Sequence, residues 1–200
     1  PTSPEIHLKK LLCQGFEKIF EIKKAFRDDL PSPLHRIEFT MLEWYGAYEG
    51  LGSIVNDLKA LLNSLSTSKL EFESLSVSHA FEKYVGFQLE ASTPIEALID
   101  ICNQFDIHTH KDDDWNDLFF RIFIEKIEKN LGKEQPVFLW HFPAQQSSLS
   151  QINEDGWCER FELYWRGVEL ANAYLEVNDP VQNKSQFATQ MELRESSGFE

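Results

Sequence analysis

The sequence predicts an α+β fold, an antiparallel sheet flanked by helices, and three observations carry this. Ile37, Phe39, Met41, Glu43 and Tyr45 occupy every second position, the period of a strand. Arg160, Glu162, Tyr164 and Arg166 alternate with Phe161, Leu163 and Trp165 in the same way, and Arg166-Gly167 can turn the chain into a returning strand. Between these stretches Leu51, Ile54, Val55, Leu58, Leu61, Leu62 and Leu65 form one stripe at helical spacing.

The 200 residues suffice for one sizeable core, read as a single domain. A formal net charge of −14 argues against a general nucleic-acid binder, because phosphate binding relies on clustered Lys and Arg. It leaves room for a small anion held by one or two arginines. The three cysteines, Cys13, Cys102 and Cys158, are odd in number and form no CxxC, which points to reduced thiols rather than a disulfide or zinc framework. No apolar run approaches the ~18 residues needed to span a bilayer, and no signal-peptide pattern is present. The expectation is a soluble, cytoplasmic chain with no membrane partner. It opens on Pro1 rather than Met, as a fragment or a processed chain would.

Taken in order, Thr2 to Leu12 reads as a helix, with Ser3 as N-cap, Pro4 in the first helical position and Glu5 easing the N-terminal dipole. Gly15 ends it. Lys18 to Phe26 alternates, with Phe20, Ile22 and Phe26 on one side and Glu21, Lys23 and Ala25, joined by Arg27, on the other. A short loop with two prolines and His35 precedes the alternating strand that ends at Tyr45. Gly50 to Leu65 is helical; its Gly50-Leu51-Gly52 lacks the third glycine and the strand–turn–helix frame of a dinucleotide loop.

Leu75 to Gly86 and Thr93 to Phe105 read as shorter helices. His108-Thr-His110-Lys-Asp-Asp-Asp114 admits a metal cluster or a solvated loop feeding a helix N-terminus. The helical spacing of Trp115, Leu118, Phe119, Ile122 and Ile127 behind it favours the loop. That helix stops at Gly132, and Gln135-Pro136 leads into an apolar strand, Val137 to Phe142, closed by Pro143. After Gly167, the residues Leu170, Asn172, Tyr174 and Glu176 share a face, which Glu169 can join only through a bulge. The tail from Asp179 reads as a polar helix.

Two hairpins therefore carry polar groups on one face and aromatics on the other. Glu43, Glu162, Glu169 and Glu176 on one sheet, beside Arg27 and His35, would repel one another unless a cation sat among them. Magnesium with nucleotide phosphates, or an ammonium-bearing ligand, would satisfy them. The plain alternative is a solvent-exposed sheet face with scattered charges. Periodicity leaves both open, because it does not show which strands are neighbours.

Longer segments carry a resemblance. FRDD followed by HRIEFTMLEWY resembles motif 2 of the class II aminoacyl-tRNA synthetases, in their lysine branch. ERFELYWRGVELANAYLEVND resembles the strand pair downstream of it, and TSPEIHLKKLL the helix before it. PVFLWHFPAQQSSLSQI and the L-E-W-Y ending are similar to the lysyl-tRNA-synthetase paralogues that modify elongation factor P. The resemblance runs from Thr2 to about Gly198. It departs from the family in the stiff loop DDLPSPLH, which lacks the usual Gly-Arg, and at Ala173 and Leu175, where the family has Gly and a polar residue.

The resemblance implies a class II catalytic core, incomplete because no counterpart of motif 1 or motif 3 is found. It implies ATP and Mg2+ as cofactors. Arg27 would be catalytic, gripping the α-phosphate and stabilising the charge that develops there. Asp28 and Asp29 would lie toward the adenine, with Phe39 stacked on it, His35 reaching the outer phosphates and Arg36 replacing an Asn beside it. Glu169 and Leu170 would border the ATP, and Glu162 and Glu169 would hold magnesium. Ser3, Pro4 and Glu5 would meet the amino-acid end of the substrate. Glu43, Tyr45, Asn172, Tyr174 and Glu176 would recognise a lysine-type ammonium by charge pairing. The implied reaction is activation of lysine or β-lysine as an adenylate, then transfer to a lysine amine of elongation factor P. A lysyl-tRNA synthetase core and an inactive synthetase-like binding module are the competing readings. The implied partners are a lysine-type amino acid and a protein acceptor rather than tRNA, with a homodimer for the complete protein.

Overall fold

The computed structural model describes residues 1–28, 32–147, 149–181 and 183–184. It falls into two compact units, Pro1–Asp57 and the chain from Leu58 onward. The expected helical tail therefore lies mostly outside the described residues, as does Asp29.

In the first unit, helix α1 (Glu5–Leu12) has Pro4 as its N-cap, one position later than the sequence suggests. Proline has no capping side chain, and Ser3 does the work instead: its Oγ accepts from the Glu5 N–H at 3.0 Å. Strands β1 (Lys18–Phe26) and β2 (Glu38–Gly46) pair antiparallel, with Phe20 opposite Trp44, Glu21 opposite Glu43 and Ala25 opposite Phe39. One face thus collects Glu21, Lys23, Ala25, Phe39, Met41, Glu43 and Tyr45, and this is the covered face, anchored by Ala25 and by Leu8 of α1. The apolar face points the other way. Phe20 is 70% exposed and Ile22 61%. Alternation separates the two faces of a strand but is silent on which one is covered. Helix α2 (Leu51–Leu65) crosses the boundary between the units, and its buried residue is Leu58.

The second unit is built on a four-stranded sheet in the order β3 (Glu73–Ser76), β4 (Val137–Trp140), β5 (Arg160–Trp165), β6 (Val168–Tyr174). β4, β5 and β6 pair antiparallel, whereas β3 pairs parallel to β4. The sequence merges β3 into the helix after it, because four residues are too few for alternation to show. Ser76 ends the strand and caps helix α3 (Val77–Val85), accepting from the His79 N–H at 3.1 Å, and Gly86 closes the helix in the left-handed region. Helix α4 (Ile95–Gln104) and helix α5 (Trp115–Ile122) complete the layer. The core gathers Phe81, Leu98, Phe119, Ile122, Leu139 and Tyr164, with the Phe119 ring stacked on those of Phe81, Trp115 and Phe123.

The His108–Asp114 stretch is the capped loop, not a metal cluster. Asp114 and Asp117 form a reciprocal capping box at the start of α5. Asp113 receives a two-pronged bond from Arg121, at 2.8 and 3.0 Å, and the His110 N–H at 2.7 Å. These bonds, Arg121 first, hold its carboxyl below the usual range. Beyond Ile122 the helix widens into a π turn (Phe123–Ile127) and tightens into a 3-10 turn (Glu128–Asn130). Its end docks on the β5–β6 turn: the Gly132 carbonyl accepts from Arg166 N–H at 2.6 Å and the Leu131 carbonyl from Gly167 N–H at 3.0 Å. Arg166 and Gly167 both have positive φ, as a tight hairpin turn requires.

Candidate active site

The first unit supplies two polar groupings on the covered side of its hairpin. In one, Glu43 accepts from Ser3 Oγ at 2.6 Å and from Tyr45 Oη at 2.7 Å, so each carboxylate oxygen has a donor. Ser3 also holds the start of α1, where buried Pro4 leads into Glu5, whose carboxylate pairs with Lys9 at 2.6 Å. Glu21 faces Glu43 across the strands, and Lys23, 3.4 Å from Glu21, offsets the like charges. Five residues expected to meet the amino acid, Ser3, Pro4, Glu5, Glu43 and Tyr45, are thus brought together by α1 lying on β1 and β2.

The second grouping lies at the open end of the hairpin. Arg27 continues the covered face of β1, its N–H bonded to the Ile37 carbonyl at 3.0 Å, and its guanidinium sits 5.3 Å from the centre of the Phe39 ring. Asp28 and Arg36 are exposed beside it. In the loop, Ser32 Oγ accepts from the Leu34 and His35 N–H groups and lies 3.0 Å from His35 Nδ1, a compact turn that fixes the imidazole. A cation and an aromatic face are thus presented together on a rigid strand pair. That combination suits a phosphate attached to a flat base.

In the second unit the polar side of β5 is not a solvated face, as the plain alternative supposed. Glu162 is 6% exposed. Arg160 donates to Glu162, to Asn172 Oδ1 at 3.2 Å and to the Gln146 carbonyl at 3.0 Å, with its guanidinium 4.5 Å from the centre of the Phe142 ring. Tyr164 Oη donates to the other oxygen of Glu162 at 2.6 Å. Burial and the neighbouring Glu162 carboxylate push the Tyr164 phenol far above its ordinary range, so it stays a donor. The pairing slips between Leu163 and Tyr164, which sets Leu163 opposite Ala171 and Tyr164 opposite Glu169. Leu170 is the extra residue. This is the bulge that parity demands: Glu169 joins the face of Glu162, Asn172 and Tyr174, and half-exposed Leu170 leaves it. Glu176 lies past the end of β6, in an isolated bridge with Ser150, its carbonyl accepting from Gln151 Nε2 at 2.8 Å.

Two corrections follow. The carboxylates do not share one sheet: Glu43 belongs to the two-stranded hairpin, whereas Glu162 and Glu169 belong to the four-stranded sheet. Among the described residues, no group of three or more His, Cys, Asp or Glu side chains is placed to hold a metal ion. Sequence reasoning also passed over Arg160 and Gln146, which organise the Glu162 face. The alternation contained Arg160, but a strand pattern does not reveal that an arginine bonds three partners.

Known proteins are similar to this sequence. The family model for class II tRNA synthetases (D, K and N) matches residues 1–199. A protein of Aquifex aeolicus named elongation factor P–(R)-β-lysine ligase homolog is 40% identical over 179 residues, covering 90% of this chain and 59% of that protein. The elongation factor P–(R)-β-lysine ligases of Histophilus somni and Avibacterium paragallinarum are 34% and 36% identical over 99% of this chain. The chain spans about three fifths of the length of these relatives, between 59% and 62%.

Proposed function

Because the chain belongs to the class II tRNA synthetases of the D, K and N group, we propose that it is part of an ATP-dependent ligase for a lysine-type amino acid. The ligase activates lysine or β-lysine as an aminoacyl-adenylate and passes the acyl group to a lysine amine of elongation factor P. The names of the relatives support the acceptor. So does a net charge of −14, which suits a protein acceptor better than tRNA. The family match runs through both units, which supports reading residues 1–200 as one catalytic domain. A cytoplasmic homodimer is part of the same proposal; among the described residues no helix is long and apolar enough to cross a membrane.

The observation that carries the reading is Arg27 held over Phe39. In the first step a substrate carboxylate oxygen bonds the α-phosphorus of ATP and the bond to pyrophosphate breaks. Arg27 steadies the negative charge on the phosphoryl oxygens, Phe39 carries the base, and His35 meets the outer phosphates. Asp28, Asp29 and Arg36 complete this nucleotide edge, with Glu169 and Leu170 bordering the ATP. In the second step the acceptor amine bonds the acyl carbon, AMP leaves and the amine gives up a proton. Ser3, Pro4, Glu5, Glu43, Tyr45, Asn172, Tyr174 and Glu176 bind the amino acid, and positioning does the work of catalysis.

Magnesium would shield the nucleotide's phosphates, with Glu162 and Glu169 as its proposed carboxylates. Both oxygens of Glu162 are already taken by Arg160 and Tyr164. A protein-held ion does not fit that pair as it stands, and no step above passes through one.

The test is ATP–pyrophosphate exchange by the intact protein. Arg27→Ala is expected to abolish lysine-dependent exchange with an unchanged circular-dichroism spectrum; unchanged exchange would refute the mechanism. Efficient charging of tRNA, with none of elongation factor P, would favour the lysyl-tRNA synthetase reading.

A further inference from the structure

Asn172 is exposed on β6, directly opposite Glu162 on β5. Its primary amide has two unlike ends, an oxygen that accepts and a nitrogen that donates. Which end meets a ligand decides whether the residue selects a donor or an acceptor, and an exposed amide can turn either way unless something holds it. Arg160 holds it: Nε donates to Asn172 Oδ1 at 3.2 Å. A guanidinium carries donors only, so the oxygen is the one end of the amide that it can take.

The guanidinium is itself fixed on its other sides. Nη1 donates to the Gln146 carbonyl at 3.0 Å, and Gln146 Nε2 is anchored to Asn116 Oδ1 on α5 at 2.5 Å. Nη2 donates to Glu162, whose second oxygen accepts from Tyr164 Oη at 2.6 Å. The central carbon lies 4.5 Å from the centre of the Phe142 ring, and the side chain is 13% exposed. Glu162 neutralises its charge. What stands open to a ligand at this point is therefore the Asn172 amide nitrogen, which has no hydrogen-bond partner among the described residues.

We propose that Arg160 is a positioning residue for the amino-acid substrate: by occupying the Asn172 carbonyl oxygen it leaves the amide N–H groups for the ligand, so that Asn172 binds the substrate carboxylate and not an ammonium. This rests on the reading of the chain as a lysine-type ligase. The ammonium groups of such an amino acid only donate, and its carboxylate is its one acceptor. An amide that presents N–H groups suits that end of the molecule and offers an ammonium nothing. The grouping of Asn172 with the ammonium-binding residues, which the resemblance implies, changes accordingly. Because Arg160 orients the amide before the substrate arrives, binding does not bear the cost of ordering it.

The experiment is lysine-dependent ATP–pyrophosphate exchange by the intact protein, with cadaverine, which is lysine without its carboxylate, as a competing probe. Arg160→Lys keeps a cation for Glu162, but its single ammonium cannot meet three acceptors spread around a planar fork. It should raise the KM for lysine about tenfold, the loss typical of one hydrogen bond to a charged group. The KM for ATP and inhibition by cadaverine should stay unchanged. Asn172→Ala, at an exposed position, should give the same split and keeps the test open if Arg160→Lys does not fold. The two substitutions together should raise the lysine KM no further than Asn172→Ala alone, because Arg160 acts through that amide. A lysine KM within twofold of wild type in either variant, an equal weakening of cadaverine, or additive losses in the pair would overturn the proposal. No lysine-dependent exchange by the wild type would instead defeat the ligase reading, and this inference with it.

Discussion

Replacing Gly132 with alanine tests how tightly the helical layer is fastened to the β5–β6 turn. Gly132 has φ +64°, and a Cβ there would lie 2.5 Å from the Tyr164 carbonyl oxygen and 2.7 Å from the Trp165 Cα. Those neighbours are backbone at the end of β5, which is paired on both sides, and do not yield as a flexible side chain would. Two costs add: about 1–2 kcal/mol for an alanine in the left-handed region, and about 1–3 kcal/mol for the forced backbone shift. The sum centres on ~3.5 kcal/mol, or a Tm fall of about 7–14 °C for a chain of this size. Gly86→Ala is the matched control, because Gly86 has φ +74° with nothing within 4 Å of its added Cβ. It bears only the first cost. Thermal unfolding of both variants isolates the steric part, and amide exchange at Arg166 and Gly167, whose N–H groups bond to Gly132 and Leu131, should quicken in Gly132→Ala alone. Equal Tm losses within about 2 °C, on the conversion above, would show that the close approach is not a constraint.

Arg160→Leu leaves the Glu162 carboxylate buried without its cation and should cost about 3–5 kcal/mol in urea unfolding; adding Glu162→Gln should recover part of that loss. Asp113 is held below the normal carboxylate range by Arg121 and the His110 N–H, so its stabilisation is present above the unfolded value and is lost as pH falls through the folded one. The Tm gap between wild type and Asp113→Asn should therefore stand at pH 7 and close below about pH 4. Thiol labelling followed by mass spectrometry should modify exposed Cys13 in the folded protein. Cys102 and Cys158, whose thiols burial pushes up, should react only on unfolding.

The alternation of β1 and β2, the loop from His108 to Asp114 that feeds a helix and the Arg166-Gly167 turn were legible in the sequence because each depends on neighbouring residues. The bulge was legible as a condition. Parity alone says that Glu169 joins the polar face only if one residue is extra, and Leu170 is that residue. What escaped depends on distant partners. β3 is defined by pairing with β4, some sixty residues on, and its four residues carry no pattern of their own. The outward turn of Phe20 and Ile22 and the burial of Glu162 were hidden for the same reason. Alternation fixes the two faces of a strand, but the rest of the chain chooses which one meets water. At the candidate site, residue types and their grouping on α1, β1 and β2 were readable. That Arg160 holds Glu162 in place was not.

The π turn at Phe123–Ile127 acts as a phase adjuster. At its start the segment is committed to the Phe119 ring stack, and at its finish to the docking of Leu131 and Gly132 on a hairpin turn. An α-helix advances by 100° per residue, so a segment of arbitrary length meets only one of two fixed targets in the right rotation. Widening one turn to the i→i+5 pattern absorbs the remainder. The aromatic stack and the hairpin contact can thus each keep its own geometry, and the mismatch between them is stored in a single turn where Ile124 faces water.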